Sequence, residues 1–338
     1  MADGPIGVGI VGYGKVGEGQ HGRYASELDD FFVAAVCDPA EGRLEAAKQK
    51  HGCRVYRDYE DLLADDEVAL VAICTPPNMH CEQAIAAAQA GKHVIVDKPF
   101  SMTYEEAKQM AAAAEEAGVM ITGNQNRRWD SDYLTVKKAI ADGLLGEVYD
   151  RESRWSHCTE AWATWGVPDF NPSWRVQRRY GGGMVYDYAS HLGDQMLRMV
   201  DAPLESVYAD LQSRIWSEEV DDHFRAELRF GDGTTAIIEA TNNVRHGLPR
   251  WFVIGTEGTL VSYPVGGCDV HVYRDDGEQV VEPVRVPPGI VYRNIGDVLR
   301  RGGELLVKPE HLLETMRLIS MIFRSAETGE VVHVSEME

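Results

Sequence analysis

The chain opens on an apolar run, IGVGIV, that breaks into glycines, and short apolar runs then alternate with amphipathic segments as far as residue 124. The later runs are FFVAAVC, ALVAIC, HVIV and VMIT. Each is short and continuous, the pattern of parallel strands covered on both faces. Between them EGRLEAAKQKHG, HCEQAIAAAQAG and TYEEAKQMAAAAEEAG carry helical spacing. The last two stop at Gly91 and Gly118, the residue type that closes a helix in the left-handed conformation. Thr103, with Glu106 three residues on, predicts a capping box. Strands and helices alternating at this spacing predict a doubly wound parallel α/β sheet over residues 1–124.

The rhythm changes over residues 125–338. A helix, YLTVKKAIADG, leads to a strand, a long irregular stretch and a second helix from about Met184. FRAELRF-GDG-TTAIIEA then reads as a hairpin turning at Asp232-Gly233, and WFVIGTEGTLVSY as another. An amphipathic helix, PEHLLETMRLISMIFRSAETG, and a strand, VVHV, close the chain. This half predicts an α+β domain with a mostly antiparallel sheet.

Composition narrows the partners. A net charge of −21 repels nucleic acid and anionic membranes, so neither is an expected partner. There is no apolar run of membrane-spanning length and no basic leader with a cleavage site, which predicts a cytoplasmic protein. Cysteines 37, 53, 74, 81, 158 and 268 show neither C-x-x-C nor zinc spacing. They are expected to be reduced thiols, and no metal is expected.

The sharpest local signal is GYGKVG, Gly12 to Gly17, placed after a strand and opening a helix. Gly12 permits a tight turn, Gly14 lets a pyrophosphate approach the backbone, and Gly17 lets helix pack on strand. Lys15 and Val16 lie within the same turn. The helix N-terminus offers free N–H groups to an anion. Asp38 ends the second strand, about 20 residues past the glycines, where a carboxylate accepts the adenosine ribose hydroxyls. It would repel a 2′-phosphate, which favours NAD over NADP. Arg43 is expected to be a solvated helix residue. Thr75, Pro76, Pro77 and Asn78, past another strand end, are expected to border the cofactor, and His80 either approaches it or has a capping or packing role.

Two stretches add chemistry. VIVDKP puts Asp97 and Lys98 at the carboxyl end of a strand, where ligands sit in doubly wound sheets. In GGGMVYDYASHLGDQMLRMV, residues 181–200, helical spacing places Asp187, His191, Asp194 and Arg198 on one narrow face. Val185, Tyr188, Ala189, Leu192 and Met196 form the opposite, core face. Asp187 and His191, at i and i+4, are expected to interact directly, and a carboxylate there would favour the protonated ring. Gly181–Gly183 would allow a close backbone approach just ahead of it. The preceding stretch is aromatic (Trp155, Trp162, Trp165, Phe170, Trp174), and Trp174-Arg175 is the best candidate for substrate contact.

Together, GIVGYGKVG, CTPPNMH, VDKP, NQNRRW, GGGMVYDYASHLGD and SAETGEVVHV resemble the glucose–fructose oxidoreductase / inositol dehydrogenase / rhizopine-catabolism (Gfo/Idh/MocA) family over nearly the whole chain. The resemblance implies a Rossmann domain followed by a large, open antiparallel sheet. It implies a nicotinamide cofactor and a sugar or polyol substrate. It also implies that His191 takes the hydroxyl proton, that Lys98 polarises the same oxygen and that Asp187 orients the site. Asp97 stands where the family more often has Glu. The resemblance further implies a cis Lys98–Pro99 bond and a homodimer or homotetramer formed through the open sheet. Two rival readings stand beside it: an NAD-dependent glycosidase with transient redox, which also resembles this family, and a non-enzymatic NAD or sugar sensor on the same fold, which has no need of Lys98, Asp187 and His191 together.

Overall fold

A computed structural model of the chain describes residues 4–156, 173–263 and 269–337. Its first half runs β1 (Ile6–Val11), α1 (Arg23–Glu27), β2 (Phe31–Cys37), α2 (Glu41–His51), β3 (Arg54–Tyr56), α3 (Tyr59–Leu63), β4 (Leu70–Ile73), α4 (His80–Gln89), β5 (His93–Val96), α5 (Tyr104–Glu116) and β6 (Ile121–Gly123). The six strands form one sheet in the order β3-β2-β1-β4-β5-β6, with every neighbouring pair parallel. The apolar runs became these strands because both faces are covered. Val71 and Ile73 of β4 pack with Ala84, Ala87, Ala107 and Met110 of α4 and α5. Leu70 and Ala72 join the core of the other face. Gly91 and Gly118 have φ of 74° and 65°, as helix-ending glycines require. Thr103 caps α5 by accepting from Glu106 N at 3.1 Å, while the Glu106 carboxylate takes Met102 N at 2.8 Å.

The second half runs α6 (Ser131–Ala141), β7 (Val148–Ser156), α7 (Ser190–Leu197), β8 (Leu204–Gln212), β9 (His223–Phe230), β10 (Thr235–Thr241), β11 (Trp251–Gly255), β12 (Thr259–Ser262), β13 (Val270–Arg274), β14 (Gly277–Val281), α8 (Ile290–Arg301), α9 (Pro309–Thr328) and β15 (Val332–His333). Nine strands form a sheet ordered β14-β13-β12-β11-β7-β10-β9-β8-β15, antiparallel throughout except for the β7–β10 pair. Both predicted hairpins are present, as β9–β10 and β11–β12. Strand β9 shows why the sheet has one core face: Phe224, Ala226, Leu228 and Phe230 are buried, while Arg225, Glu227 and Arg229 point to solvent.

Elements not anticipated include β3, α3, β13, β14 and α8. The strands are three to five residues long and partly polar, so little periodicity marks them. Helix α8 leaves the second half and packs on the first sheet. Its Val291, Tyr292, Ile295 and Leu299 join Val8, Ile10 and Phe31 in one core. Among the described residues, no helix is long and apolar enough to cross a membrane.

Candidate active site

Strand β1 ends at Val11, and its neighbours β2 and β4 leave in opposite directions across the sheet. This switch point opens a crevice at the carboxyl ends of the strands. Gly12, with φ +85°, makes the turn, and a Cβ there would sit 2.9 Å from the Cys74 carbonyl. A Cβ on Gly17 would lie 2.2 Å from Gly12 O, so Gly17 is where the helix presses on the strand. The chain then winds through a π-helical turn, Gly17–Gly22, into α1.

The crevice holds a cleft of about 370 Å³. Of the residues anticipated from the sequence, Gly12, Gly14, Lys15, Val16, Asp38, Thr75, Pro76, Asp97, Lys98, Trp174, Arg175 and Asp187 line it. Gly17, Asn78, His80 and His191 do not. His80 is fully buried, with its ring nitrogens 2.9 Å from the carbonyl oxygens of Pro99 and Thr75, so it ties two loops together rather than facing a cofactor. Asn78 points to solvent, and the neighbouring Met79 lines the cleft instead. Cys37, Arg57, Tyr59, Cys74 and Gln83 are further lining residues with no local sequence signal. Burial pushes the Cys37 thiol up to about 12, so it stays protonated at neutral pH. Cys37, Cys53, Cys74 and Cys81 are free thiols, while Cys158 and Cys268 lie outside the described residues.

At one end of the cleft Asp38 is buried. Its carboxylate accepts Tyr13 N at 2.8 Å and Ala40 N at 2.9 Å. Arg43 is not a solvated helix residue: its Nη1 lies 3.2 Å from Asp38 Oδ2 and its side chain is mostly buried. At the other end Asp97 accepts from Asn124 Nδ2 at 3.1 Å. The Lys98–Pro99 bond is cis, as expected.

Lys98 Nζ is ion-paired with Asp187 Oδ1 and donates to Asp187 O at 2.8 Å. This contact joins the first sheet to the helix of the second half. Arg175 Nε lies 3.7 Å from the other Asp187 oxygen. The expected Asp187–His191 pair does not form. A π-helical turn at Val185–Ala189 precedes α7, and the widened turn takes Asp187 off the i, i+4 line. His191 is buried, and its Nδ1 has no hydrogen-bond partner among the described residues. The ring is not favoured in its protonated form either. Burial, then the cations Lys98, Arg127 and Arg250, hold its pKa well below 6.5.

Of the rest of the anticipated polar face, Arg198 is half-buried and ion-paired with Glu314, and Asp194 is buried. Asp194 is clamped by Arg128, whose Nε and Nη2 donate to it at 2.7 and 2.5 Å. The glycine run lines the cleft and also packs closely against protein. A Cβ on Gly182 would lie 2.3 Å from Arg175 O, and one on Gly183 (φ +113°) 2.4 Å from Asp221 Oδ1. Asp221 Oδ2 accepts Val185 N at 2.8 Å and so holds the start of the helical run, and burial pushes its carboxyl up to about 7. Trp174 carries the Arg175 guanidinium 4.2 Å above its ring. Trp162, Trp165 and Phe170 lie outside the described residues.

Residues 6–125 match the profile of an oxidoreductase family described by its NAD-binding Rossmann fold, and residues 133–261 match the GFO/IDH/MocA C-terminal domain. The chain belongs to the Gfo/Idh/MocA oxidoreductase family. It is 28% identical to scyllo-inositol 2-dehydrogenase (NADP(+)) IolW of Bacillus subtilis, over 97% of this chain and 95% of that one. A solved NAD-binding protein from Listeria innocua superposes with a TM-score of 0.87 at 36% identity, over 97% of this chain and 96% of that one. The WlbA dehydrogenase of Bordetella pertussis, solved with NADH and UDP-GlcNAcA, superposes at 0.82 with 28% identity, over 97% and 98% of the two chains. This Gfo/Idh/MocA chain is an oxidoreductase acting on CH–OH groups, with an NAD-binding Rossmann domain and sugar or polyol dehydrogenases among its relatives.

Proposed function

We propose that this chain is an NAD-dependent dehydrogenase that oxidises or reduces a secondary alcohol of a neutral inositol-like polyol or pyranose. One observation carries the reading: Lys98 and Asp187, drawn from different halves of the fold, meet at one end of the dinucleotide cleft, with His191 one helical turn further on. The open turn at Gly12 and Gly14 fits a pyrophosphate, and Asp38 marks the ribose end. When bound, the nicotinamide would supply the hydride acceptor. Lys98 donates a hydrogen bond from Nζ to the alcohol oxygen, and Asp187 holds that ammonium in place. His191, kept neutral by burial, takes the hydroxyl proton at its imidazole.

Three cations around the site each face an acid, Lys98 with Asp187, Arg127 with Asp130 and Arg250 with Asp132, and Arg175 shares Asp187 with Lys98. Cations already engaged by carboxylates favour an uncharged substrate. NADP is the second reading for the cofactor, supported by Arg43 beside Asp38 and by the cofactor in the IolW relative's name. Residues 1–124 would hold the cofactor and residues 125–338 the substrate. The solvent face of the nine-stranded sheet exposes Tyr208, Tyr273 and Val280, and we assign it to pairing with a second copy.

The test is NADH formation with NAD, then NADP, across inositols, aldoses, sugar acids and glycosides. Turnover with one neutral polyol class bears the reading out. Glycoside cleavage without net NADH would replace it with the glycosidase reading. Silence across the panel, with NAD still raising Tm, would replace it with the sensor.

A further inference from the structure

We propose that Tyr13 and His51 are positioning residues for the dinucleotide: the neutral His51 ring holds the Tyr13 hydroxyl and so fixes the glycine turn that takes the pyrophosphate. The inference rests on the cofactor cleft assigned above. Tyr13 stands between Gly12 and Gly14 and is buried. Its backbone N–H is held by Asp38 at 2.8 Å, and its hydroxyl lies 2.6 Å from Nε2 of His51 at the end of α2. The two rings meet edge to face, with centroids 5.9 Å apart. A Cβ on Gly22 would lie 3.2 Å from His51 Nε2 and 3.5 Å from the Tyr13 ring, so that glycine leaves the pair its space. Neither Tyr13 nor His51 lines the cleft, so the pair acts on a ligand through the turn.

The hydrogen bonds have one consistent direction. Ser26 Oγ donates to Gly22 O at 2.8 Å, because a carbonyl only accepts. Ser26 Oγ therefore accepts from His51 Nδ1, 2.9 Å away. The neutral ring then has a bare Nε2, which accepts the Tyr13 hydroxyl hydrogen. Protonation puts a hydrogen on Nε2 as well, and the Tyr13 hydroxyl loses its acceptor. That hydroxyl makes no other hydrogen bond among the described residues. An unmatched buried O–H favours a turn that swings Tyr13 toward water, which moves Gly12 and Gly14 off the pyrophosphate position. The ring is poised on the neutral side: burial, then Lys50, lower its pKa from 6.5, and Glu18 opposes them. Lys50 and Glu18 are the charged groups that face it, from its own helix and from the π-helical turn, and they pair with each other at 2.9 Å. Cys53, which faces Tyr13, stays an uncharged thiol because burial raises its pKa.

The experiment uses the full chain and its Tyr13→Phe, His51→Gln and His51→Leu variants. NADH and NADPH are titrated by fluorescence from about pH 5 to about pH 8, where an imidazole changes charge, and Tm is recorded alongside. The cofactor that the wild type binds more tightly is followed in the variants. We expect wild-type affinity to be level above about pH 6.5 and to fall below it, by up to about tenfold per pH unit, as the binding-competent population shrinks. His51→Gln offers a carbonyl oxygen to the Tyr13 hydroxyl and does not titrate, so it should keep the neutral-pH affinity and lose the acid limb. Tyr13→Phe and His51→Leu should weaken binding about 5- to 10-fold at neutral pH, the size of one buried hydrogen bond. Tyr13→Phe and His51→Gln nearly conserve volume, so they decide the matter even where His51→Leu unfolds. A wild type without an acid limb, a limb unchanged in His51→Gln, or unaltered affinity in Tyr13→Phe would overturn the proposal. So would weaker binding in Tyr13→Phe that tracks a loss of Tm. A wild type that binds neither dinucleotide would reject the cofactor reading and this assignment together, whereas a wild type that binds, with variants that match it, rejects this assignment alone.

Discussion

The buried pair Arg128–Asp194 gives the most direct test of how α7 is held. The carboxylate of Asp194 is almost wholly buried and accepts both Arg128 bonds plus Thr315 Oγ1 at 3.3 Å. Removing one member of such a pair leaves a buried charge unmatched, at a cost of about 3–5 kcal/mol. The two directions should differ. In Asp194→Ala the guanidinium keeps Leu306 O at 3.0 Å and His311 Nδ1 at 3.1 Å, so the cost should fall near 3 kcal/mol. In Arg128→Met the carboxylate keeps only the Thr315 hydroxyl, so about 4–5 kcal/mol is expected. The double variant Arg128→Met/Asp194→Leu buries no charge, and its loss should be at least about 2 kcal/mol smaller than the sum of the singles. Urea unfolding followed by circular dichroism and by tryptophan fluorescence reads all three. Single losses under about 1 kcal/mol, or an additive double variant, would refute the clamp. Because Asp194 lies one turn from His191, each single variant should also lose kcat while NADH affinity holds.

Lys98→Ala and His191→Ala should each lower turnover by about 10²-fold or more, and near-normal rates would remove them from proton transfer. Asp38→Ala unmasks Arg43, so the ratio of kcat/KM for NAD over NADP should fall at least about tenfold, and an unchanged ratio would sink the ribose assignment. His191, His21 and His80 are buried with pKa values lowered from 6.5 chiefly by desolvation. The unfolded chain therefore binds their protons first. Stability should be full above about pH 6.5 and decline as pH falls below it towards the folded values. By the same sign, the acid limb of kcat/KM that belongs to His191 should lie below pH 6.5. A limb above 6.5 would contradict the buried, neutral ring.

The sequence by itself determined the parts governed by neighbours along the chain. Gly12 and Gly17 announced a turn and a close helix–strand contact, and Thr103 announced its cap. The apolar runs announced covered parallel strands, and Asp232-Gly233 announced a hairpin. Each depends on a few consecutive residues, so the local pattern carries it. Of the cleft lining, Gly12, Gly14, Asp38 and Lys98 were legible because strand ends and glycine turns mark the crevice of a doubly wound sheet. Tertiary structure decided what those residues touch. Helical spacing paired Asp187 with His191, but the π-helical turn sent the carboxylate to Lys98, a residue 89 positions away in the chain. Likewise, local sequence left His80 open to a cofactor contact or a packing role, and the fold buried it between two carbonyls. Arg127 and Arg128 are adjacent and chemically alike. Only the fold put Arg128 against the carboxylate of Asp194 and laid the Arg127 guanidinium 4.2 Å above the Trp155 ring. Those outcomes depend on which distant groups share a buried, low-dielectric space, and spacing along one chain does not encode that.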